Sequence, residues 1–221
     1  MSISRRRFLE QASALSVAGA AVGAGALSLT PNNNAHAQAA AGYEVLATPL
    51  NTADPDKVEV LEFFWFGCPH CFAFEPAINE YYKNKPDHVA EVREAPPLNP
   101  QWEQHSRIWY AARSLGIEHD ILEPVFDEIH KNKNRLRRPD RIAEFIGSLD
   151  VGVDADKFEK TMKSFAVDAG LRRSVQLAQQ SGITGVPSIL VNGKYRTSVS
   201  MAGGHQQVIQ VIERLVELEN A

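Results

Sequence analysis

The chain has 221 residues, 44% hydrophobic and 23% charged, with a formal charge of −4 at pH 7. That composition is ordinary for a folded globular protein, and the length is enough to bury a substantial core. The net basic field that nucleic-acid binding requires is missing, so no nucleic-acid partner is expected.

The first 37 residues read as an address rather than as part of the fold. Arg5, Arg6 and Arg7 form a positive leading region, and Ala14 to Leu29 is a weakly apolar run rich in Ala and Gly. Ala35-His36-Ala37 then supplies the small-x-small pattern at which a signal peptide is cut, so residues 1–37 are expected to be removed after Ala37. The run is too short and too Gly-rich to span a bilayer, which takes ~20 strongly apolar residues. Ser4-Arg5-Arg6-Arg7-Phe8-Leu9 is similar to a twin-arginine export signal, the alternative being a general secretory signal that carries three arginines. Removal would leave 184 of the 221 residues, with 20 basic against 26 acidic side chains and a charge of −6. A periplasmic location follows from this reading.

Beyond that segment, one short strand is expected near Tyr43 to Ala47. Val58 to Phe66 reads Val-Glu-Val-Leu-Glu-Phe-Phe-Trp-Phe, a nearly continuous apolar run of the kind carried by a strand buried on both faces. Gly67 breaks the run, and a helix is predicted from about Pro69 to Tyr82. Pro69 sits in its first turn, where a missing N–H costs nothing, and Pro76 is expected to kink it. Val89 to Glu94 is a second strand, ending at Pro96-Pro97. Residues 100 to 180 change to helical spacing, with segments at Trp102–Leu115, Ile121–His130, Pro139–Leu149, Asp154–Met162 and Asp168–Gln180. Gly116, Gly152 and the polar Lys131-Asn132-Lys133-Asn134 stretch punctuate them. Strand signals return at Ser188–Val191 and Lys194–Ser198, joined by Asn192-Gly193, a pair suited to a type I′ turn. An amphipathic helix from about His205 to Leu218 closes the chain. With the helical block set aside, the order is β-α-β-β-β-α, an α/β arrangement with a small mixed sheet flanked by helices.

The chain has two cysteines, Cys68 and Cys71, in a single Cys-x-x-Cys. A bridge across two residues closes almost no loop and adds little chain-entropy stabilisation, so a redox couple is the better reading than a structural disulfide. Cys68 falls where strand gives way to helix. The unpaired N–H groups and partial positive charge of a helix N-terminus favour a thiolate there. An unperturbed thiol, with a pKa of about 8.5, is only ~3% ionised at pH 7, so such stabilisation decides reactivity. His70, between the cysteines, can add a donor or a positive charge. A stabilised thiolate favours the reduced pair, which makes the disulfide a stronger oxidant. Zinc would need four Cys or His ligands. There is no second Cys pair, and His88, His105, His119, His130 and His205 show no paired ligand spacing. No metal and no organic cofactor is expected beyond the Cys68–Cys71 pair.

The stretch Val60-Leu61-Glu62-Phe63-Phe64-Trp65-Phe66-Gly67-Cys68-Pro69-His70-Cys71 resembles the active-site strand and helix of the DsbA family, within the thioredoxin superfamily. Gly185-Val186-Pro187-Ser188 followed by Val191-Asn192-Gly193-Lys194-Tyr195 is similar to that family's second signature, and the helical block sits where the family carries its insertion. The resemblance implies a thioredoxin-like fold, a central mixed sheet flanked by helices, with an inserted all-helical domain. Residues 38–99 and 166–221 would form the thioredoxin-like domain and 100–165 the insertion. It further implies that Cys68 is the exposed sulfur that attacks and is attacked, and Cys71 the buried resolving one. Pro69 and His70 belong to the same motif, and Val186-Pro187 would be a cis peptide pairing its backbone with an extended substrate. The implied activity is disulfide donation to newly exported, cysteine-containing proteins by a monomer that a DsbB-type, quinone-linked membrane partner reoxidises.

Several residues carry readings of their own. Glu62 is the one charged residue between Val60 and Phe66, and a carboxylate inside a buried strand is costly without a use. It lies nine residues before Cys71, which resembles the placing of a buried acid in thioredoxin-like strands. From there it would take or relay the proton of the resolving thiol. The alternative is a strand end where Glu62 reaches water. Glu75, one helical turn after Cys71, is read as a solvated helix residue, with modulation of the cysteine region as the alternative. The five basic residues of Lys131 to Arg138 are read as a solvated interhelical loop, with contact to a partner as the alternative. Trp65, Phe66, Phe72 and Met201 are read mainly as core, one of them reserved for substrate contact, and Trp102 with Trp109 as a buried helix face.

Two rival functions use the same residues. A disulfide reductase or isomerase would need the pair kept reduced, and the dimerisation segment that isomerases of the superfamily carry is not visible between Ala37 and Val58. A peptide-binding holdase would treat the cysteines as incidental.

Overall fold

The structure, a computed structural model, describes residues 41–221. The export signal, its arginines and the cut after Ala37 lie outside the described residues. No helix among the described residues is long and apolar enough to cross a membrane.

Strand β1 spans Tyr43–Val45 and β2 Val58–Phe63, followed by helix α1 at Pro69–Asn84 and β3 at Val89–Glu94. A 3₁₀ turn at Pro100–Trp102 leads into α2, Glu103–Leu115, and α3, Glu118–His130. Then come α4, Pro139–Ser148, α5, Ala155–Met162, and α6, Phe165–Gln180. The chain closes with β4 at Ser188–Val191, β5 at Tyr195–Thr197, the short α7 at Val199–Ala202 and α8 at His205–Glu219.

The five strands form one mixed sheet in the order β1-β5-β4-β2-β3. β2 runs parallel to β3 and antiparallel to β4, so it has a partner on both edges. All six of its residues are buried, which is what its continuous apolar run predicts. One face of the sheet packs Val60, Ile189 and Val191 against Phe74 and Ile78 of α1 and Val208 and Ile212 of α8. Its other face packs Leu61, Phe63 and Leu190 against Ala178 of α6. At β4–β5 the turn residues Asn192 (φ 49°) and Gly193 (φ 64°) both lie in the left-handed region, as a type I′ turn demands.

The predicted strand over Val58–Phe66 stops earlier, at Phe63. Phe64 still donates its N–H to Glu94 at 3.0 Å, after which Cys68 N–H bonds back to the Trp65 carbonyl at 2.9 Å and turns the chain into α1. Phe64 and Phe66 are thereby carried off the sheet into a second core, where they meet Ile108 and Trp109 of α2, Val125 and Phe126 of α3 and Phe158 of α5. Cys68 and Cys71 border that same core. The helix α1 runs through Pro76 as one element. Trp102, read as part of the helix face with Trp109, instead stands in the 3₁₀ turn and stacks on Trp65 with ring centroids 4.5 Å apart, while Trp109 is buried as expected.

Candidate active site

Cys68 is the N-cap residue of α1, with Pro69 at the first helical position. Its carbonyl accepts the Phe72 N–H at 3.0 Å, so the first helical turn begins at the sulfur-bearing residue. Pro69 and His70 are exposed, Cys68 keeps 8% exposure and Cys71 none. The order of accessibility is the one the resemblance implies, but Cys68 is far less open than an exposed sulfur. One reason is the carbonyl oxygen of Val186, 3.6 Å from Cys68 Sγ. The Val186–Pro187 peptide is cis, with Val186 half-buried and Pro187 buried.

The two thiols, present as free cysteines, have opposite electrostatic surroundings. The Cys68 pKa is lowered to about 6, first by a hydrogen bond from the Cys71 thiol, against the cost of burial, then by the backbone N–H groups of Cys71 and His70, with the His70 charge a smaller contribution. The Cys71 thiol is held far above its ordinary range, first by burial and then by the neighbouring Cys68. One proton therefore stays on Cys71 and is shared toward the Cys68 sulfur. The sequence pointed to the helix terminus and His70 as the stabilisers; the leading one is the partner thiol.

Beneath the pair lies a buried ion cluster. Glu62 on β2 is fully buried, so the strand-end alternative, in which it reaches water, does not hold. Arg93 on β3 reaches it with Nη1 at 3.2 Å from Glu62 Oε2, and the same nitrogen donates to Glu75 Oε1 at 2.8 Å. Arg93 Nε donates to Glu91 at 3.1 Å and Nη2 to Asn79 at 2.6 Å. The guanidinium also lies 4.9 Å from the centre of the Tyr82 ring. Neither Glu62 oxygen has a hydrogen-bond partner among the described residues. Burial pushes the Glu62 carboxyl up, more than the Arg93 charge holds it down. Glu75, read as a solvated helix residue, is 5% exposed and ion-paired to Arg93, so that reading is corrected. Arg93 was not singled out in the sequence, where it is one basic residue among 23. The parallel pairing of β2 and β3 sets Glu62 opposite Arg93, a register that spacing alone does not reveal.

The remaining large apolar residues singled out in the sequence divide. Phe66 is wholly buried, as core. Trp65, Phe72 and Met201 are half-buried, and Phe72 stacks on His130 at 4.7 Å. His130 Nε2 donates to the Phe66 carbonyl at 2.7 Å, which fastens the end of α3 to the turn that carries the cysteines.

The site is thus a strand-to-helix turn bearing two cysteines, faced by a cis-proline loop and flanked by a helical layer. The chain matches the DSBA-like thioredoxin domain family over residues 94–216, a stretch that begins after Cys71 and takes in the cis-proline loop. The thiol:disulfide interchange protein DsbA of Pseudomonas aeruginosa is 38% identical over 179 residues, covering 81% of this chain and 84% of that one. The chain belongs to the DsbA family. The DsbA of Burkholderia cepacia is 36% identical over 176 residues, covering 79% and 82%. The crystal structure of P. aeruginosa DsbA superposes with a TM-score of 0.77 at 37% identity, over 81% of this chain and 92% of that one. The Neisseria meningitidis oxidoreductase NmDsbA1 gives a TM-score of 0.69 at 25% identity, over 81% and 94%. The fold is thus the thioredoxin-like fold of DsbA, and the protein is a thiol:disulfide oxidoreductase. Membership decides for an enzyme over a peptide-binding holdase.

Proposed function

We propose that the Cys68–Cys71 pair works as a disulfide donor in the periplasm, oxidising newly exported proteins that carry cysteines. The split between the two thiols carries this reading: a stabilised Cys68 thiolate beside a strongly protonated Cys71 favours the dithiol form, so the disulfide form gives up its bond readily. A substrate thiolate attacks Cys68 Sγ, the Cys68–Cys71 bond breaks, and the electron pair leaves on Cys71, which takes up a proton. The second substrate thiolate then attacks the substrate sulfur of the mixed disulfide. Cys68 departs as the stabilised thiolate, and the substrate leaves oxidised by two electrons.

In this scheme Pro69 and His70 shape the entrance beside Cys68, and Val186 and Pro187 align the substrate backbone by strand addition. Glu62 supplies or removes the Cys71 proton, its own carboxyl being pushed up into the range where it exchanges protons. The redox pair is the one reactive group required, with no metal or organic cofactor. Residues 1–37 act as the export signal, 38–99 with 166–221 as the thioredoxin-like domain, and 100–165 as its helical insertion. The protein acts as a monomer, and a DsbB-type quinone-linked membrane oxidase restores the disulfide.

The test is the redox equilibrium of the pair in glutathione buffers, measured on the mature protein. A potential near the ~−120 mV of DsbA supports donation, and one near the ~−270 mV of thioredoxin overturns it in favour of a reductase.

A further inference from the structure

Five basic residues lie between Lys131 and Arg138, and the structure separates them into two groups. Lys131 pairs with Asp127 and Arg138 with Asp140, while Lys133 donates to the His130 carbonyl. Arg135 and Arg137 are exposed, and their guanidinium groups have no ion pair or hydrogen bond among the described residues. Both line a groove of about 610 Å³ whose wall also includes Gly67 and Pro69, the residues on either side of Cys68. The loop that presents them is held in an unusual backbone conformation: Lys133 has φ 63° and the buried Leu136 φ 44°. Left-handed conformations are costly for residues with a side chain and persist where surrounding contacts enforce them. One such contact is visible, the His105 Nε2–H bond to the Arg135 carbonyl at 2.9 Å.

The floor of this groove is polar in a specific way. Trp65 Nε1, Gln104 Oε1 and His105 Nδ1 are buried atoms without a hydrogen-bond partner among the described residues, and all three side chains line the groove. His105 is only 5% exposed. Because its Nε2 donates to a carbonyl, and burial holds its pKa down, its Nδ1 is a lone-pair acceptor. The set is thus one N–H donor and two acceptors beside two unneutralised guanidinium groups. A polypeptide backbone offers the matching C=O and N–H groups, and a carboxylate matches the arginine forks. The three buried atoms make the floor polar, and the two guanidinium groups supply the charge that an acidic segment answers.

We infer that this groove is a specificity subsite that seats an acidic segment flanking the substrate cysteine while that cysteine reacts at Cys68. The inference rests on the oxidoreductase reading of Cys68 and adds a substrate preference to it. The groove opposes the protein's overall charge, so attraction of an acidic chain is local to this wall of the site.

The experiment follows single-turnover oxidation of reduced two-cysteine peptides by the oxidised mature protein. Two electrons and two protons pass from each peptide dithiol to the Cys68–Cys71 disulfide. Three peptides differ only in a pair of side chains: Glu-Glu close to the reacting cysteine, Gln-Gln at the same place, and Glu-Glu moved to the far end of the peptide. Each is run with the natural protein and with Arg135→Gln/Arg137→Gln. Each peptide's own thiol chemistry cancels when the two proteins are compared. The double variant should slow the near-Glu peptide about fivefold more than the Gln peptide at low salt, and the excess should vanish at about 1 M salt. Equal slowing of the near-Glu and Gln peptides, or equal slowing of the near-Glu and far-Glu peptides, overturns the subsite. The Gln peptide separates the two claims. If the natural protein fails to oxidise it, the oxidoreductase reading falls as well; if it is oxidised and the Glu effect is missing, only the subsite falls.

Discussion

The Cys68 sulfur stands 3.6 Å from the carbonyl oxygen of Val186, a residue 118 positions away in the chain. A thiol can donate to that oxygen and a thiolate cannot, so this contact favours protonated Cys68. The Cys68 pKa is lowered all the same, because the Cys71 thiol and the first N–H groups of α1 outweigh burial.

The thiolate should appear at low pH. Alkylation of reduced protein at Cys68, followed against pH, is expected to show a midpoint at about 6 rather than at the ordinary thiol value of about 8.5. A midpoint near the ordinary value would remove the basis for a strongly oxidising pair.

The same depression links stability to pH. The folded pKa lies below the unfolded one, so the contribution to the reduced form is complete above about pH 8.5 and is lost as pH falls through about 6. With partial screening at the edge of the site, reduced protein should gain ~2 kcal/mol over the disulfide form between about pH 5 and about pH 8. Urea unfolding of both forms at the two pH values measures this difference.

Cys71 should matter more than His70 to the acidity of its neighbour. Cys71→Ala removes the leading stabiliser and His70→Ala a lesser one, so thiolate absorbance should place the Cys68 pKa higher in the first variant than in the second. The reverse order would mean that the imidazole, not the thiol, governs the site.

Arg93 holds three carboxylates around one guanidinium. Arg93→Met should destabilise the fold by ~3–5 kcal/mol at neutral pH, because the buried Glu75 loses its cation, while Glu62, pushed up to about 8, already carries its proton there. The folded pKa of Glu75 then rises further, so the deficit should shrink as pH falls and that carboxyl protonates. A deficit that does not change with pH would contradict this assignment.

Gly67 answers to Trp65. A Cβ at position 67 would fall within 2.6 Å of the indole Cε2, so Gly67→Ala should cost ~1–3 kcal/mol and displace the cysteine turn. Adding Trp65→Leu should recover much of that loss, a coupling that a double-mutant cycle reads directly.

Local patterns made much of this architecture legible. The apolar run of β2, the Asn192-Gly193 turn and the helical spacing of residues 100–180 each express a preference the chain carries at short range. The cysteine motif announces itself for the same reason. Glu62 could be suspected because it breaks an apolar run, but its neutralising partner could not. Arg93 joins Glu62, Glu75 and Asn79 only once β3 has paired with β2 and α1 has packed across them. Glu75 is hidden for the same reason: helical periodicity gives the face of a residue, not the cation waiting opposite. Arg135 and Arg137 were equally hidden in a run of five basic residues, because only tertiary contacts reveal which charges remain unanswered.

The acidity of Cys68 requires the helix turn at Pro69 and a Cys71 thiol sealed into the core, and access to its sulfur is set by a loop from the far end of the chain. None of these exists in an unfolded chain, where both thiols are ordinary. Reactivity is consequently a property the molecule acquires at the last stage of its own maturation. With no third cysteine to mispair, the nascent protein has a built-in brake: its thiols trade bonds with their neighbours only slowly until it has finished folding itself.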